Sequence, residues 1–434
     1  MKLATSQRIW LARLYFEIMK HAVIVSVPLV ITLLVWLGSV PLSALESGEG
    51  VMQLIGALAL VGFGVVMMLA TRLRALDRLF DGQDKAFVVH KWLGVVSVGF
   101  VLVHLLAHNG MSGHGGFGPG HGVPGMGGHG SPPFGEIAAI LLIVLIVLAF
   151  LARAAKYETW RFVHRIMALA YVAALAHYYL TSTLQPLGFT PFSVWIDITA
   201  MFGVASAIYS VFLYEWLAFR HRYRVVAVRR LSPDVVEITG QATNSPMALK
   251  PGQFAFAKFP QNKFKSHPFT ISGTPALDTL QLTIKDLGDD THRLIESVAT
   301  GDPFAMSGPF GCFDYTLGGD HQAWVAGGIG VTPFRCFLGA PVPEHIVVDF
   351  FYCYHGAAQA VYADELANTL GANVRLHLVD DTIDGFLTPQ RILELCPTMP
   401  SDVYFCGPVA MRRSLQPGLT AGGVRFHYEQ FQFR

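Results

Sequence analysis

The chain has 434 residues, 52% of them apolar and 14% charged, with a formal net charge of +1 and a mean hydropathy of +0.44. That balance marks a protein with a large membrane part. The near-neutral charge and the lack of any basic run argue against a nucleic-acid partner.

Apolar runs of spanning length begin near His21, Val51, Phe87, Gly135, Phe162 and Phe192, which predicts six membrane helices within residues 1–218. All thirteen Lys and Arg residues up to position 218 lie in the N-terminal arm, the 72–91 connection or the 153–165 connection. The connections at 41–50, 109–134 and 182–191 contain none. This asymmetry predicts that the N-terminus, the two basic connections and everything after residue 218 face the cytoplasm, as expected of a bacterial inner-membrane protein. Nothing resembles a cleavable signal peptide, because further spans follow the first apolar run.

After Arg220 the texture changes. Alternating segments such as RVVAV, VVEIT, FAFAKF and LQLTI predict the short strands of a β-barrel-like module over 219–318. From Trp324 onward, apolar strands alternate with helix-like segments, the pattern of a parallel α/β sheet, which assigns 319–434 to a nucleotide-binding module. All five cysteines fall in the C-terminal half without regular spacing. They read as reduced thiols of a cytosolic domain rather than a disulfide or iron–sulfur framework.

Three histidines, His90, His104 and His108, interrupt the third apolar run. His90 and His104 are separated by about 21 Å along a helix and lie within about 40° of one face. The fifth run offers His164 and His177, again one near each membrane surface. His90 is thus level with His164, and His104 with His177, giving two stacked sites that can each fill both axial positions of a haem iron. A lone intramembrane histidine bonded to a carbonyl is the plain alternative, which two matched levels make improbable. Gly94 and Gly99 leave room for a flat macrocycle. One detail departs from a straight helix: thirteen residues rotate by about 220°, so a kink, overwinding or tilt is expected between His164 and His177.

The outer connection 110–133 is rich in Gly and Pro. Its His114, His121 and His129, with Met111 and Met126, read either as a flexible linker or as a weak trap for copper or iron.

In the C-terminal half, SHPFTIS (266–272) ends a strand with a ring, a hydroxyl and an aromatic side chain that can bond and cover an isoalloxazine. KDLGDDTHRL (285–294) follows, with a Gly turn and Thr291 opening a helix whose N-terminus suits a pyrophosphate. GPFG (308–311) closes the module. AGGIGVTPF (326–334) has the strand–turn–helix form of a dinucleotide site, although such a turn is also common as plain structure. FCGP (405–408) ends a later strand at what would be the same sheet edge. In the terminal HYEQFQFR, either Phe431 or Phe433 could stack on a flavin, or both could belong to a packed strand.

Taken together, these motifs and paired histidines resemble the NADPH oxidase and ferric reductase superfamily over nearly the whole chain. The resemblance implies a multi-domain fold. A six-helix transmembrane bundle with two b-type haems on His90, His164, His104 and His177 would precede a ferredoxin-NADP reductase-like module. That module would combine an antiparallel β-barrel FAD domain with an α/β NAD(P)H domain. The resemblance further implies FAD at His267, Pro268, Phe269, Thr270, Lys285, Gly288 and Thr291. NAD(P)H would bind at Gly327, Gly328, Gly330, Thr332, Pro333, Cys406, Gly407 and Pro408. Phe431 would cover the flavin, and Cys406 would lie near the nicotinamide. His108 would stand free beside the outer haem, where oxidases of the family hold oxygen with a further Arg; here that position falls near Gln53. The implied function carries electrons from NAD(P)H through FAD and two haems to oxygen outside, producing superoxide. Fe(III) or Cu(II) reduction by the same path, or electron delivery to a partner protein, are the alternatives. Where NADPH-selective relatives carry an Arg, this chain has Tyr354 and His355, with Arg412 and Arg413 as possible substitutes, so weak discrimination between NADH and NADPH is expected.

Overall fold

The structure, a computed structural model, describes residues 2–40, 49–112, 134–152, 157–181, 188–263 and 265–429. It divides into two compact units, one formed by Met19–Leu73 and Ala86–Tyr214, the other centred on Arg74–Lys85 and Glu215–Arg434.

The helices are α1 (Lys2–Ser39), α2 (Glu49–Leu69), the short α3 (Arg74–Leu79), α4 (Gln83–Ser112), α5 (Phe134–Ala152), α6 (Tyr157–Thr181) and α7 (Pro191–Ile208). A π turn at Tyr209–Leu213 carries α7 into a last helical turn, Tyr214–Leu217. Local chemistry sets these starts and joins. Thr190 caps α7 by accepting from the Ser193 amide at 3.1 Å, with Pro191 in the first turn. Thr32 returns its hydroxyl to the Pro28 carbonyl (2.7 Å) and accepts from the Trp195 indole (2.9 Å), tying α1 to α7. Trp36, Val61, Tyr171, Phe192 and Ile196 form the buried core of the bundle. Leu106, Ile140, Phe162 and Met201 are exposed, the inversion expected where the surroundings are hydrocarbon.

Among the described residues, four helical stretches are long and apolar enough to cross a membrane: Lys20–Ser39, Gly50–Leu69, Gln83–Ala107 and Pro191–Leu217. Two of the six expected spans fall short for identifiable reasons. The described apolar stretch of α5 is Ile137–Leu148, and α6 carries Arg161, Arg165, two histidines and four tyrosines.

In the second unit, β1 (His221–Ser232), β2 (Val235–Ala242), β3 (Phe254–Lys258), β4 (Ser266–Gly273), β5 (Thr279–Lys285) and β6 (Pro303–Phe310) close an antiparallel barrel in the order β1-β2-β5-β4-β3-β6. Alternate side chains such as Val236, Ile238, Ala257, Ile271, Leu282 and Met306 fill it. The parallel sheet follows, with β7 (His321–Gly327), β8 (Val347–Tyr354), β9 (Val374–Asp380), β10 (Asp402–Cys406) and β11 (Arg425–Tyr428) in the order β11-β10-β7-β8-β9. Both modules expected after residue 218 are present. The strand order reverses between β7 and β10, so a crevice opens at their carboxyl ends.

A buried polar network joins barrel and sheet. Glu237 on β2, 4% exposed, accepts from the Tyr362 hydroxyl (2.7 Å), Arg229 (3.1 Å) and Arg335 (3.1 Å). Arg335 also reaches Glu365 (2.6 Å) and the Ser272 carbonyl (3.0 Å). Tyr362 sits in the left-handed region at φ 68°, which costs a residue bearing a Cβ about 1–2 kcal/mol and is held by this network.

Asp402 plays a comparable part inside the sheet. It is fully buried and accepts from His427 (2.7 Å), Arg425 (2.6 Å), Ser401 (2.7 Å) and the Gly319 amide (2.8 Å). Burial alone would raise its pKa, but the bonds from His427, Arg425, Gly319 and Ser401 outweigh it and hold the carboxyl far below the usual range. A depressed folded pKa means that this stabilisation is complete above the ordinary carboxylate range and is lost as pH falls from there toward the depressed value. Asp402→Asn is expected to destabilise the α/β module by about 2–4 kcal/mol at pH 7 in chemical denaturation, with a smaller difference from wild type below about pH 4.

Candidate functional site

The four intramembrane histidines meet in two pairs. The rings of His90 (α4) and His164 (α6) lie 5.9 Å apart between centroids, and those of His104 and His177 lie 6.4 Å apart. Two imidazoles ligating one metal from opposite sides, each through a bond of about 2 Å, hold their ring centres roughly 6 Å apart. Both pairs fit that spacing. Nδ1 of His90 donates to the Val66 carbonyl and Nδ1 of His104 to the Met52 carbonyl, each at 3.0 Å. A carbonyl can only accept, so each of these rings carries its proton on Nδ1 and keeps the Nε2 lone pair for a metal.

Further residues shape the pairs. A Cβ on Gly56 would lie 3.3 Å from the His104 ring, so the bare backbone of α2 makes room for that imidazole. Trp160 stacks on His164 at 5.1 Å and 13°. Gly94 and Gly99 have open space where a Cβ would be. Sequence reasoning missed Val66, Met52, Gly56 and Trp160; the two carbonyls leave no mark in side-chain chemistry, whereas a helical Gly level with His104 was a usable signal. Where a kink, overwinding or tilt was expected, Tyr157–Thr181 runs as one continuous helix without Pro.

His108 lies on α4, one turn beyond His104, but its side chain falls outside the described residues, as do the 113–133 connection with its three histidines, Phe431 and Phe433. Gln53 follows Met52 on α2, next to the carbonyl that holds His104.

In the barrel, β4 pairs with β3, His267 opposite Ala257 and Thr270 opposite Phe254. Its alternation turns Phe269 into the barrel core, so Phe269 supports the strand instead of offering a face to a ligand, while His267, Pro268 and Thr270 stay partly exposed. His267 Nε2 lies 3.3 Å from Asp290 in the first turn of α8 (Asp289–Ser297), where Lys265 and Arg293 also converge. Thr291 spends its hydroxyl locally, donating to the Gly288 carbonyl and accepting from the Leu287 amide, both at 2.9 Å. Lys285 is tied to Gln359 (2.5 Å) and Asp234 (3.4 Å) at the seam between the modules.

At the β7–β10 crevice, the turns after the two strands are pressed together. A Cβ on Gly330 would run into the Cys406 carbonyl, and one on Gly407 would lie 3.1 Å from the Gly327 backbone. Gly327 is likewise closed off by Pro408 at 2.7 Å. Three glycines therefore serve backbone packing. Gly328 differs: it has φ 53° and open space where a Cβ would be, which leaves it to approach a ligand. Thr332 opens the short α9 (Thr332–Phe337) next to Pro333 and donates to the Ile329 carbonyl at 3.1 Å. Asp380, Asp381 and Asp384 gather where β8 and β9 end. Asp381 pairs with His355 (2.6 Å), and Asp380 accepts from the Gly356 amide at 3.0 Å. Arg412 lies over the Tyr428 ring at 4.1 Å.

All five cysteines are free thiols. Burial pushes Cys312 up to about 11, and Cys353, Cys396 and Cys406 up to about 12, and raises Cys336 as well. Cys406, at the crevice, therefore remains a protonated, apolar contact and not a thiolate nucleophile.

A family profile described as "Ferric reductase like transmembrane component" matches residues 55–175, and one described as "FAD-binding domain" matches residues 220–312. The chain is 28% identical over 222 residues to the heme-dependent oxidative N-demethylase beta subunit of Ectopseudomonas mendocina (strain ymp), covering 48% of this chain and 68% of that protein. It is 25% identical over 256 residues to NADPH oxidase 3 of Rattus norvegicus, covering 43% and 44%. Against ferric reduction oxidase 2 of Arabidopsis thaliana it is 30% identical over 132 residues, covering 28% and 18%. The chain thus spans less than half the length of the last two.

Two outcomes follow from the crevice. Gly330→Ala is expected to weaken nicotinamide-nucleotide binding by roughly tenfold or more, since a clash with the Cys406 carbonyl costs on the order of 1–3 kcal/mol, with bound flavin retained in the absorption spectrum. Alkylation by iodoacetamide at pH 7.5, scored by intact mass, is expected to leave the buried Cys336, Cys396 and Cys406 of the folded chain essentially unmodified, with exposed Cys312 the first to react.

Proposed function

Because this chain belongs to the NADPH oxidase and ferric reductase superfamily, we propose that it oxidises cytosolic NAD(P)H and passes the electrons across the membrane to oxygen, releasing superoxide. The observation that carries this reading is the pair of imidazole levels on α4 and α6, each with one ring oriented by a carbonyl of α2. His90 with His164 would hold the inner haem, and His104 with His177 the outer. FAD would be held by β4 around His267, Pro268 and Thr270 and by the Gly288–Thr291 turn, and NAD(P)H at the crevice beside Gly328 and Cys406. When bound, the flavin takes a hydride and returns electrons singly, and the haems relay them outward. The protein's own share is orientation. Val66 and Met52 fix the tautomers of His90 and His104, Gly56 and Trp160 fix ring positions, and the closed turns at Gly330 and Gly407 set the floor on which the nicotinamide lies.

His104 and His177 would both be committed to holding the outer haem, so an acceptor would have to take electrons without a ligand position of its own, as oxygen can. His108 would stand beside that haem. A second reading, reduction of Fe(III) or Cu(II), draws support from charge. No Lys or Arg lies in the expected outer connections, and α7 carries Asp197 in its second turn, accepting from the Tyr179 hydroxyl at 2.8 Å. A carboxylate there favours a cation and offers superoxide nothing.

Replacing His90 or His164 by Leu is expected to remove one haem per chain, and replacing both His104 and His177 to remove the other, scored as pyridine haemochrome. Substituting His114, His121 and His129 should leave haem content unchanged. Two haems retained in the His104/His177 double variant would overturn the assignment. Turnover of NAD(P)H by the purified chain, with oxygen against chelated Fe(III) and with superoxide scored, decides the acceptor; activity that needs an added protein would favour the electron-transfer-subunit alternative.

Nucleotide choice and flavin cover are testable in the same preparation. The Asp380–Asp381–Asp384 rim opposes a 2′-phosphate, and Arg412 is engaged with Tyr428, so NADH is expected to serve nearly as well as NADPH. A hundredfold preference for NADPH, about 2.7 kcal/mol, would contradict this. Phe431→Ala is expected to change nucleotide affinity and turnover while retaining FAD.

A further inference from the structure

The loop that closes the barrel, Gly308–Cys312, is gripped from two directions. From the connection between α2 and α4, Arg74 donates to the Gly308 carbonyl, and Asp77, 4% exposed, accepts from the Gly311 amide at 3.5 Å. From the end of β11, Glu429 accepts from the next amide, that of Cys312, at 3.1 Å. Gly311 has φ 97°, and the space a Cβ would take is filled by the Glu429 carboxyl. Two carboxyls thus converge on consecutive amides of one loop. Neither makes an ion pair among the described residues.

The groups around them do not supply compensating charge. Asp84 and Asp81 add negative charge from the same connection, Lys85 and Arg78 act only at a distance, and Cys312 is a thiol. Burial raises the Glu429 carboxyl well above its usual range, with Asp84 and Asp77 adding to the effect, and burial raises Asp77 too. Ionising both would place two like charges in one desolvated site, with the Gly311 and Gln83 amides answering Asp77 and the Cys312 amide alone answering Glu429.

We propose that Asp77 and Glu429 are positioning residues that retain one proton between them, and that this proton keeps the 74–85 connection seated on the 308–312 loop. The consequence lies in what the connection leads to, because it runs directly into α4, which carries His90. The link to electron transfer rests on reading 308–312 as the loop beside the flavin, whereas the proton-held contact does not. A carboxyl that binds its proton more tightly when docked than when free favours docking at low pH. Docking weakens as pH rises from the ordinary carboxylate range toward the raised value of Glu429.

The test is hydrogen exchange on the full chain in nanodiscs with its cofactors bound and no nucleotide, following peptides that cover 74–85, corrected for intrinsic exchange rates. In wild type, protection is expected to fall roughly fivefold or more between about pH 6 and pH 8.5. Glu429→Gln keeps an acceptor for the Cys312 amide without a titrating group, and its protection is expected to change less than about twofold over that range. Asp77→Asn, which leaves Glu429 without its near neighbour, is expected to show a smaller fall than wild type. Constant protection in wild type, or a fall in Glu429→Gln equal to that of wild type, would overturn the proposal. Turnover is not part of the readout, so an error in the acceptor or flavin assignment would leave these outcomes unchanged.

Discussion

An imidazole placed among apolar helices must satisfy both ring nitrogens without water, and this requirement organises the membrane unit. At His90 and His104 one nitrogen is answered by a carbonyl of α2, which is free to accept a second bond although its helix already uses it. The other nitrogen is thereby aimed away from α2 and toward α6. From that single constraint follow the glycine at position 56, the stacked Trp160 and the pairing of rings at two depths. A helix bundle assembled only by apolar packing would have no reason to set these residues level with one another.

The cytoplasmic unit is organised differently, by closure. The barrel joins its first and last strands, Tyr223 opposite Phe304, and leaves no open edge among its six strands. The sheet depends on two buried carboxylates for its internal and external joins, Asp402 within it and Glu237 against the barrel. Both carry several donors, so removing any one donor leaves a charge still partly answered. Such joins are directional, and they fix how the two modules face one another where apolar contact alone would let them slide.

How much of this was legible in the sequence depended on where the partner of each residue lay. Spans with few charges announced themselves through hydropathy, whereas α6 was diluted by Arg161, Arg165 and its own histidines and tyrosines. The matched depths of His90 with His164 and His104 with His177 could be counted from spacing, but the carbonyls of Val66 and Met52 could not. In the cytoplasmic half the strand segments and the shared sheet edge of the two Gly turns were legible, while the strand order was not and barrel closure depends on pairs about 80 residues apart, such as Tyr223 with Phe304. The HPFT segment was expected to end a strand, whereas it opens β4, and its alternation puts Phe269 inside. The 72–91 connection read only as a basic loop, because what Asp77 and Arg74 bind is backbone 234 positions away.

The mutual pressure of the two turns at the crevice restricts how this protein can drift. Gly327, Gly330 and Gly407 stand against one another's backbone neighbourhood, so lineages or libraries that vary them would have to move two strand ends together. Gly328, with nothing in front of it, and the acidic rim beyond β8 and β9 are under no such restriction. Inherited or engineered changes in dinucleotide preference are therefore channelled to those few positions, while the turn itself stays frozen.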